Sequence, residues 1–277
     1  MKKIILHLIM IITFLLIVFP GLSKDEENTC NYVRLTILND TLYAIDLDGN
    51  GYSFPTFIYR YDSCKILRMT GSYYNEIPST ISKMNGLEEI LINKCYNLDF
   101  DKSIQNLSKN NILKLTLVND SLKEIPKSIE DLQKLQKLNL SGNQISIVPN
   151  YILSLPNLKV LYLNNNRIKT FEIKEFNFSI ENLDISENEL DKLPEGIKYL
   201  KNLRFLTLVD NKNLDLKEIC DVLPYLENLE MLNIIGCKKA IIPDNIDNLK
   251  YVKKRVETMR MFSKEEIELL RSKGIKI

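Results

Sequence analysis

Histidine is all but missing from this chain: the one imidazole, His7, sits in the apolar stretch Ile4–Pro20. A mature protein without that stretch has no imidazole for general base work, for a Ser-His or Cys-His pair, or for a zinc site. Tryptophan is absent and glycine is sparse. An excess of either charge is missing too, since 37 Lys and Arg face 36 Asp and Glu. No basic field points to nucleic acid and no acidic field to a cationic substrate. None of the five cysteines has a CxxC spacing, which argues against a metal, and no cofactor is expected. The 277 residues suffice for one large domain or two small ones. Leu, Ile, Asn and Lys are abundant instead, a usage that suggests an AT-rich bacterial genome.

The first 23 residues read as a secretory signal peptide. Met1-Lys2-Lys3 is a positive start, Ile4–Pro20 an apolar run, and Gly21-Leu22-Ser23 a small-x-small cleavage site before Lys24-Asp25-Glu26-Glu27. The alternative is an uncleaved anchor, since about 17 apolar residues just span a bilayer. A membrane is then met only through this segment. Cys30 lacks the small residue before it and the apolar residue three before it that a lipoprotein site needs. Export after cleavage near Ser23, to the surface, the medium or the periplasm, is the expectation.

Asp46, Asp48, Asn50 and Gly51 match the first half of a calcium loop, but position 12 is Phe57, which offers no oxygen. A repeat accounts for them better. The template L-x-x-L-x-L-x-x-N-x-L-x-x-L-P fits Leu135-x-x-Leu138-x-Leu140-x-x-Asn143-x-Ile145-x-x-Val148-Pro149. It fits Leu158-x-x-Leu161-x-Leu163-x-x-Asn166-x-Ile168 and Ile180-x-x-Leu183-x-Ile185-x-x-Asn188-x-Leu190-x-x-Leu193-Pro194 as well. Units also begin at Leu42, Cys64, Leu87, Ile112, Leu203 and Leu229, which puts the nine starts 22 to 26 residues apart. Asp46 and Asp48 then simply flank an inward Leu47, and Asn50 is the asparagine of the first unit.

This pattern resembles the leucine-rich repeat family over residues 42–252. The copies are similar to the 23-residue class of bacterial surface proteins and Ras-pathway scaffolds, whose second half reads L-P-x-x-I-x-x-L-x-x-L. Ile125-Pro126-x-x-Ile129-x-x-Leu132-x-x-Leu135 is one instance, and Leu193-Pro194 and Ile77-Pro78 open two more. The resemblance implies an α/β solenoid, a horseshoe of about nine repeats. A parallel sheet lines its concave face, and short helices or 3₁₀ turns lie on the convex side. Elementary physics agrees. The x-L-x-L part alternates with period 2, as a short strand does. The proline-led half has apolar residues every third position. The asparagine can spend its amide on neighbouring turns, and units that cannot bury an apolar side alone must stack.

The expected organisation is a signal peptide (1–23), an N-terminal cap (24–41), repeats (42–252) and a C-terminal cap with a helix (253–277). Val33, Leu35 and Ile37 alternate as a capping strand would. At the far end Arg255 and Glu257 fall on inward positions, which stops the repeat. Ser263-x-x-Glu266 opens a last helix with Gly274 as its stop. Cys95 and Cys237 replace the repeat asparagine, as do Ser72 and Asp120. Extra residues near 97–99 and 213–215 are expected to bulge on the convex side or its edge. Cys64, Cys95 and Cys237 read as buried thiols and Cys220 as convex. A Cys30–Cys64 cap bridge is one pairing, with connectivity open.

Function is sought on the outward residues of the strands, where such repeats bind. Phe205, Val209, Met231 and Ile235 fall in adjacent columns as an apolar patch, with Tyr162 and Arg204 as anchor types nearby. The competing reading packs these residues under the C-terminal cap. The basic cluster Lys250, Lys253, Lys254, Arg255 suggests either an acidic partner or a solvated cap. The whole reads as an exported, non-enzymatic binding protein for a protein or glycan partner, with adhesion or host interaction as roles. A structural scaffold within the envelope is the alternative. An enzyme ranks below both, because no segment outside the repeats is large enough for a catalytic domain.

Overall fold

The computed structural model describes residues 13–18, 31–38, 41–49, 54–238, 241–258 and 261–277. The chain divides into two compact units, one ending at Ile112 and one beginning at Leu113. In the first unit, β1 (Thr13–Val18), β2 (Asn31–Leu38) and β3 (Thr41–Gly49) are antiparallel neighbours. β4 (Ile66–Thr70) and β5 (Glu89–Asn93) continue the sheet in parallel. The capping strand is β2, with Val33 and Leu35 buried. β1 lies within the segment read as a signal peptide, and the rest of that segment, with Cys30, lies outside the described residues. Asp46 and Asp48 sit in β3 rather than in a loop. Leu47 between them is buried and Asp46 pairs with Arg68 at 3.0 Å. Asn50 and Gly51 lie outside the described residues.

In the second unit the parallel strands are β6 (Lys114–Val118), β7 (Lys137–Asn139), β8 (Val160–Tyr162) and β9 (Asn182–Asp184). They continue as β10 (Phe205–Thr207), β11 (Met231–Asn233) and β12 (Arg255–Glu257). Each strand pairs with the next in sequence order. The second and third template leucines, such as Leu138 and Leu140 or Leu161 and Leu163, are fully buried, while the residues between them face out. On the opposite side the proline-led halves form short 3₁₀ turns, as at Ser79–Lys83 and Lys127–Asp131, or the short helix Asn150–Leu153. Their prolines, Pro78, Pro126 and Pro149, stand at the cap just before the first helical residue.

The asparagine ladder is complete in its geometry. Asn143, Asn166, Asn188 and Asn211 each donate Nδ2–H to a carbonyl of the preceding repeat (Leu117, Leu140, Leu163, Ile185) at 2.8 to 3.0 Å. Each also donates to a carbonyl of its own repeat at 2.9 to 3.1 Å. Their Oδ1 atoms accept from backbone N–H groups of the preceding repeat, such as Ile145 and Ile168 at 3.0 Å. Cys95 and Cys237 stand in with weaker thiol contacts, Cys237 to the Leu208 carbonyl at 3.3 Å. One step before the ladder residue the chain turns left-handed in the eight repeats from Cys64 onward. Gly71, Lys94, Asn119, Gly142, Asn165, Glu187, Asp210 and Gly236 all have φ between 51° and 75°. At Gly142 a Cβ would come within 2.3 Å of Asn119 Oδ1, so a larger residue there would require the Asn119 side chain to move.

One expectation, that Arg255 and Glu257 point inward, is corrected. The extra residues near 97–99 and 213–215 lead into two helices, α1 (Phe100–Leu107) and, after Asn150–Leu153 as α2, α3 (Leu216–Val222). Asp99 and Asp215 cap α1 and α3 by accepting from the N–H groups of Lys102 and Lys217, which satisfies orphan donors of the first turn. Arg255 and Glu257 are not inward. An added residue after Val252 slips the register, so that Val256 is the buried one and pairs with Leu232. The repeat sheet thus runs on to Glu257. The last helix, α4 (Lys264–Ser272), has both halves of its capping box, but of its apolar residues Leu270 is buried while Leu269 is exposed. The tail after it bonds back to β12, Val256 N–H donating to the Lys276 carbonyl at 2.7 Å.

Candidate interaction surfaces

Phe205 and Met231 are direct register partners on β10 and β11, side by side on the open face of the sheet. Two residues further on, Thr207 pairs with Asn233. Beyond that, Val209 and Ile235 continue the two columns through backbone bonds from Glu187 N–H and Asp210 N–H at 2.7 and 2.8 Å. Alternate strand residues are about 7 Å apart, so the apolar patch is two pairs divided by a polar row. All four side chains are half-buried, and Arg255 is the register partner of Met231 on its outer side.

Tyr162 and Arg204 lie differently. Tyr162, on β8, is separated from Thr207 by Asp184 and carries Lys137 over its ring at 5.0 Å. It is not part of the patch. Arg204 sits over the Phe205 ring at 5.3 Å, but its guanidinium donates twice to Glu230 Oε1, at 3.0 and 2.8 Å. It is one rung of an alternating charge ladder along the edge where the chain enters each strand, ordered Lys159, Glu181, Arg204, Glu230, Lys254. Lys254 and Arg204 together hold the Glu230 carboxyl below its ordinary pKa.

The thiols are placed as the repeat requires. Cys64, Cys95, Cys220 and Cys237 are buried thiols, and Cys64 bonds to the Ile66 carbonyl. Burial pushes the thiols of Cys64, Cys220 and Cys237 up to about 11, 12 and 12, so they stay protonated and poorly nucleophilic at neutral pH.

A second surface escaped the strand-centred reading. The repeat starting at Leu158 lacks the proline-led half, and in its place Phe171–Ile180 runs extended, bridging to Glu195 and Leu200 of the next unit. This leaves Phe176 and Phe178 out in solvent, 60% and 65% exposed, with ring centroids 6.3 Å apart. Tyr199 packs its edge on Phe176 at 4.9 Å. A groove of about 620 Å³ opens beside them, floored by Leu153, Leu155 and Ile173, and a smaller one of about 380 Å³ lies on the side of Lys201 and Glu227. The signal was present in the missing Leu-Pro and the aromatic pair at 176 and 178, but in a half of the repeat that does not carry the template asparagine.

Two sequence models of leucine-rich repeats match the chain, one of two copies over residues 133–175 and one over 156–212. No curated protein matches at a significant level. Among solved structures the chain is similar to a leucine-rich repeat protein of Leptospira interrogans, at 24% identity and TM-score 0.57, covering 79% of this chain and 56% of that one. It is similar to an internalin of Listeria monocytogenes at 15% identity and TM-score 0.55, covering 76% and 58%. The Drosophila Toll–Spatzle complex gives 14% identity and TM-score 0.53 over 80% and 34%. The chain therefore spans little more than half the length of the two bacterial structures. With the nine in-register units, the asparagine ladder and the parallel sheet, these matches make the chain a member of the leucine-rich repeat family.

Proposed function

We propose that this chain is an exported, non-enzymatic binding protein that holds a protein or glycan partner on the open face of its sheet, at the surface of the cell. The observation that carries the reading is the Phe205–Met231 pair, in register and half-exposed on that face. Val209 and Ile235 extend it and Thr207 and Asn233 supply polar atoms between, the mixture of apolar core and polar rim that interfaces use. Repeats of this family mediate protein–protein interaction, and the similar Toll structure is a complex with Spatzle. The positive start, apolar run and Gly21-Leu22-Ser23 site support export. Buried, protonated thiols and a mature chain without histidine support a role in binding rather than catalysis.

Protease shaving of intact expressing cells, with released peptides read by mass spectrometry, tests the location. Peptides from residues 42–252 are expected. Protection that ends only when the outer layer is opened would move the partner inside the envelope. Phe205→Asp with Met231→Asp tests the face. Binding is expected to be lost with thermal unfolding unchanged, whereas a collapse in stability would mean that the pair packs as core.

A further inference from the structure

Phe176, Tyr199 and Tyr225 hold the same place in three consecutive repeats, immediately before the residue aligned with Leu200. Tyr225 precedes Leu226 and Phe176 precedes Asn177, which bridges Leu200, while the next unit has Asn248 there, before Leu249, and carries Tyr251 three residues later. Three earlier repeats have Lys83, Asp131 and Ser154 there, before Met84, Leu132 and Leu155. The aromatic column thus spans three repeats. Phe176 and Tyr225 are 60% and 54% exposed, more than the edge contact of Tyr199 on Phe176 accounts for.

Lysines decorate these rings. Lys201 lies over Phe176 at 5.7 Å, Lys198 over Tyr199 at 5.6 Å and over Tyr225 at 5.9 Å, and Lys250 over Tyr251 at 5.6 Å. Among the described residues none of the three forms an ion pair, in contrast to the charges of the adjacent strand-entry ladder. Lys253 at the same end meets only the amide oxygen of Asn228, at 3.3 Å. A ring holds the ammonium in place through cation–π attraction and leaves its outer hydrogens free. Fixed, unneutralised cations, with Lys198 and Lys201 paired in one repeat, favour a counter-charge set against them.

We infer that this aromatic–lysine edge is a second binding surface and that it takes an extended acidic peptide segment. The carboxylates of the segment neutralise Lys198 and Lys201, and its apolar side chains cover Phe176 and Phe178 at the groove of about 620 Å³. Two unpaired lysines set against a line of three rings favour such a chain. The inference stands apart from the sheet-face site, since the two share no residue.

A displayed library of random short peptides, panned on the full chain, tests it. Enriched peptides are expected to alternate Asp or Glu with apolar residues. Lys198→Glu with Lys201→Glu is expected to weaken them about tenfold, or ~1.4 kcal/mol, as is added salt. Phe176→Ser with Phe178→Ser is expected to weaken them too, with thermal unfolding unchanged in both variants. Phe205→Asp with Met231→Asp leaves the binding intact, which separates this edge from the sheet face. Peptides without acidic residues, no enrichment at all, or indifference to the charge reversal would overturn the inference. So would binding confined to vesicles of anionic phospholipid.

Discussion

Replacing Asn166 by Ala removes four hydrogen bonds from the middle of the ladder, but the loss is unequal. The side chain is buried, with Nδ2 donating to the Leu140, Leu163 and Asn164 carbonyls at 3.0, 2.9 and 3.3 Å and Oδ1 accepting from Ile145 N–H at 3.0 Å. The Leu140 carbonyl keeps a second donor in Asn143, at 2.9 Å, and the Leu163 carbonyl keeps one in Asn188, at 3.0 Å. Only the Ile145 N–H is orphaned. An orphaned buried donor costs about 1–3 kcal/mol, and each bond lost from a carbonyl that keeps a partner about 0.5–1. Asn166→Ala should therefore destabilise the second unit by about 2.5–6 kcal/mol. Asn166→Cys should fall between wild type and Ala. A thiol still donates, as Cys237 does to Leu208, but offers Ile145 N–H almost nothing.

Urea unfolding followed by circular dichroism measures this, with the slope of the transition checked so that a midpoint shift reads as stability. The control is Asn202→Ala. Asn202 donates across the same inter-repeat step, to the Phe178 carbonyl at 2.7 Å, but at an exposed site where water replaces it. It should cost at most about 1 kcal/mol. Equal losses at 166 and 202, or a loss under about 1 kcal/mol at 166, would refute the argument that burial of one N–H governs the ladder.

Glu187 is exposed and left-handed at φ 51°, in the place where other repeats use Gly. Glu187→Gly should raise stability by about 0.5–1 kcal/mol in the same assay, and a loss would mean that its side chain has a partner worth more than the strain. The Glu230 carboxyl should titrate below the ordinary glutamate range by NMR, with its midpoint moving up in Lys254→Ala and next in Arg204→Ala. Because its folded pKa is depressed, the stabilisation it gives is present above the unfolded value and lost as pH falls through the folded one. Native protein at mildly alkaline pH should resist iodoacetamide at Cys64, Cys220 and Cys237, and denatured protein should label at all three. Rapid native labelling would mean that the repeats holding those thiols open locally.

What could be read from the chain alone followed the residues that every repeat must share. Leu138, Leu140 and Asn143 do the same work as Leu161, Leu163 and Asn166, so the strands, the ladder and the buried cysteines were legible from spacing. Positions that each repeat solves in its own way were not. The left-handed step is filled by Gly, Asn, Asp, Lys and Glu, a mixture with no visible motif until backbone angles line it up. The slip after Val252 is one residue, enough to exchange Arg255 for Val256 in the core and reverse which faces the solvent. Arg204, picked as an anchor for its residue type, proved committed to Glu230 and Glu181, a matter of what lies 23 and 26 residues away.

The same division bears on where function can sit. Residues that stack repeat on repeat are held by neighbours on both sides, so a change there is read first as lost stability. The freedom to vary lies in two columns: the outward strand residues, which place Phe205 beside Met231, and the strand-entry edge, which places Phe176 beside Tyr199. Both depart from their own earlier repeats in the same stretch of chain. Lys114 and Lys137 precede Val160, Asn182, Phe205 and Met231 in the first column, and Lys83, Asp131 and Ser154 precede the aromatics in the second. Stacking does not require that change, because the buried leucines beneath are the same throughout. A shift from charged or polar toward apolar and aromatic side chains on two outward columns, over neighbouring repeats, is what contact with partners there would demand.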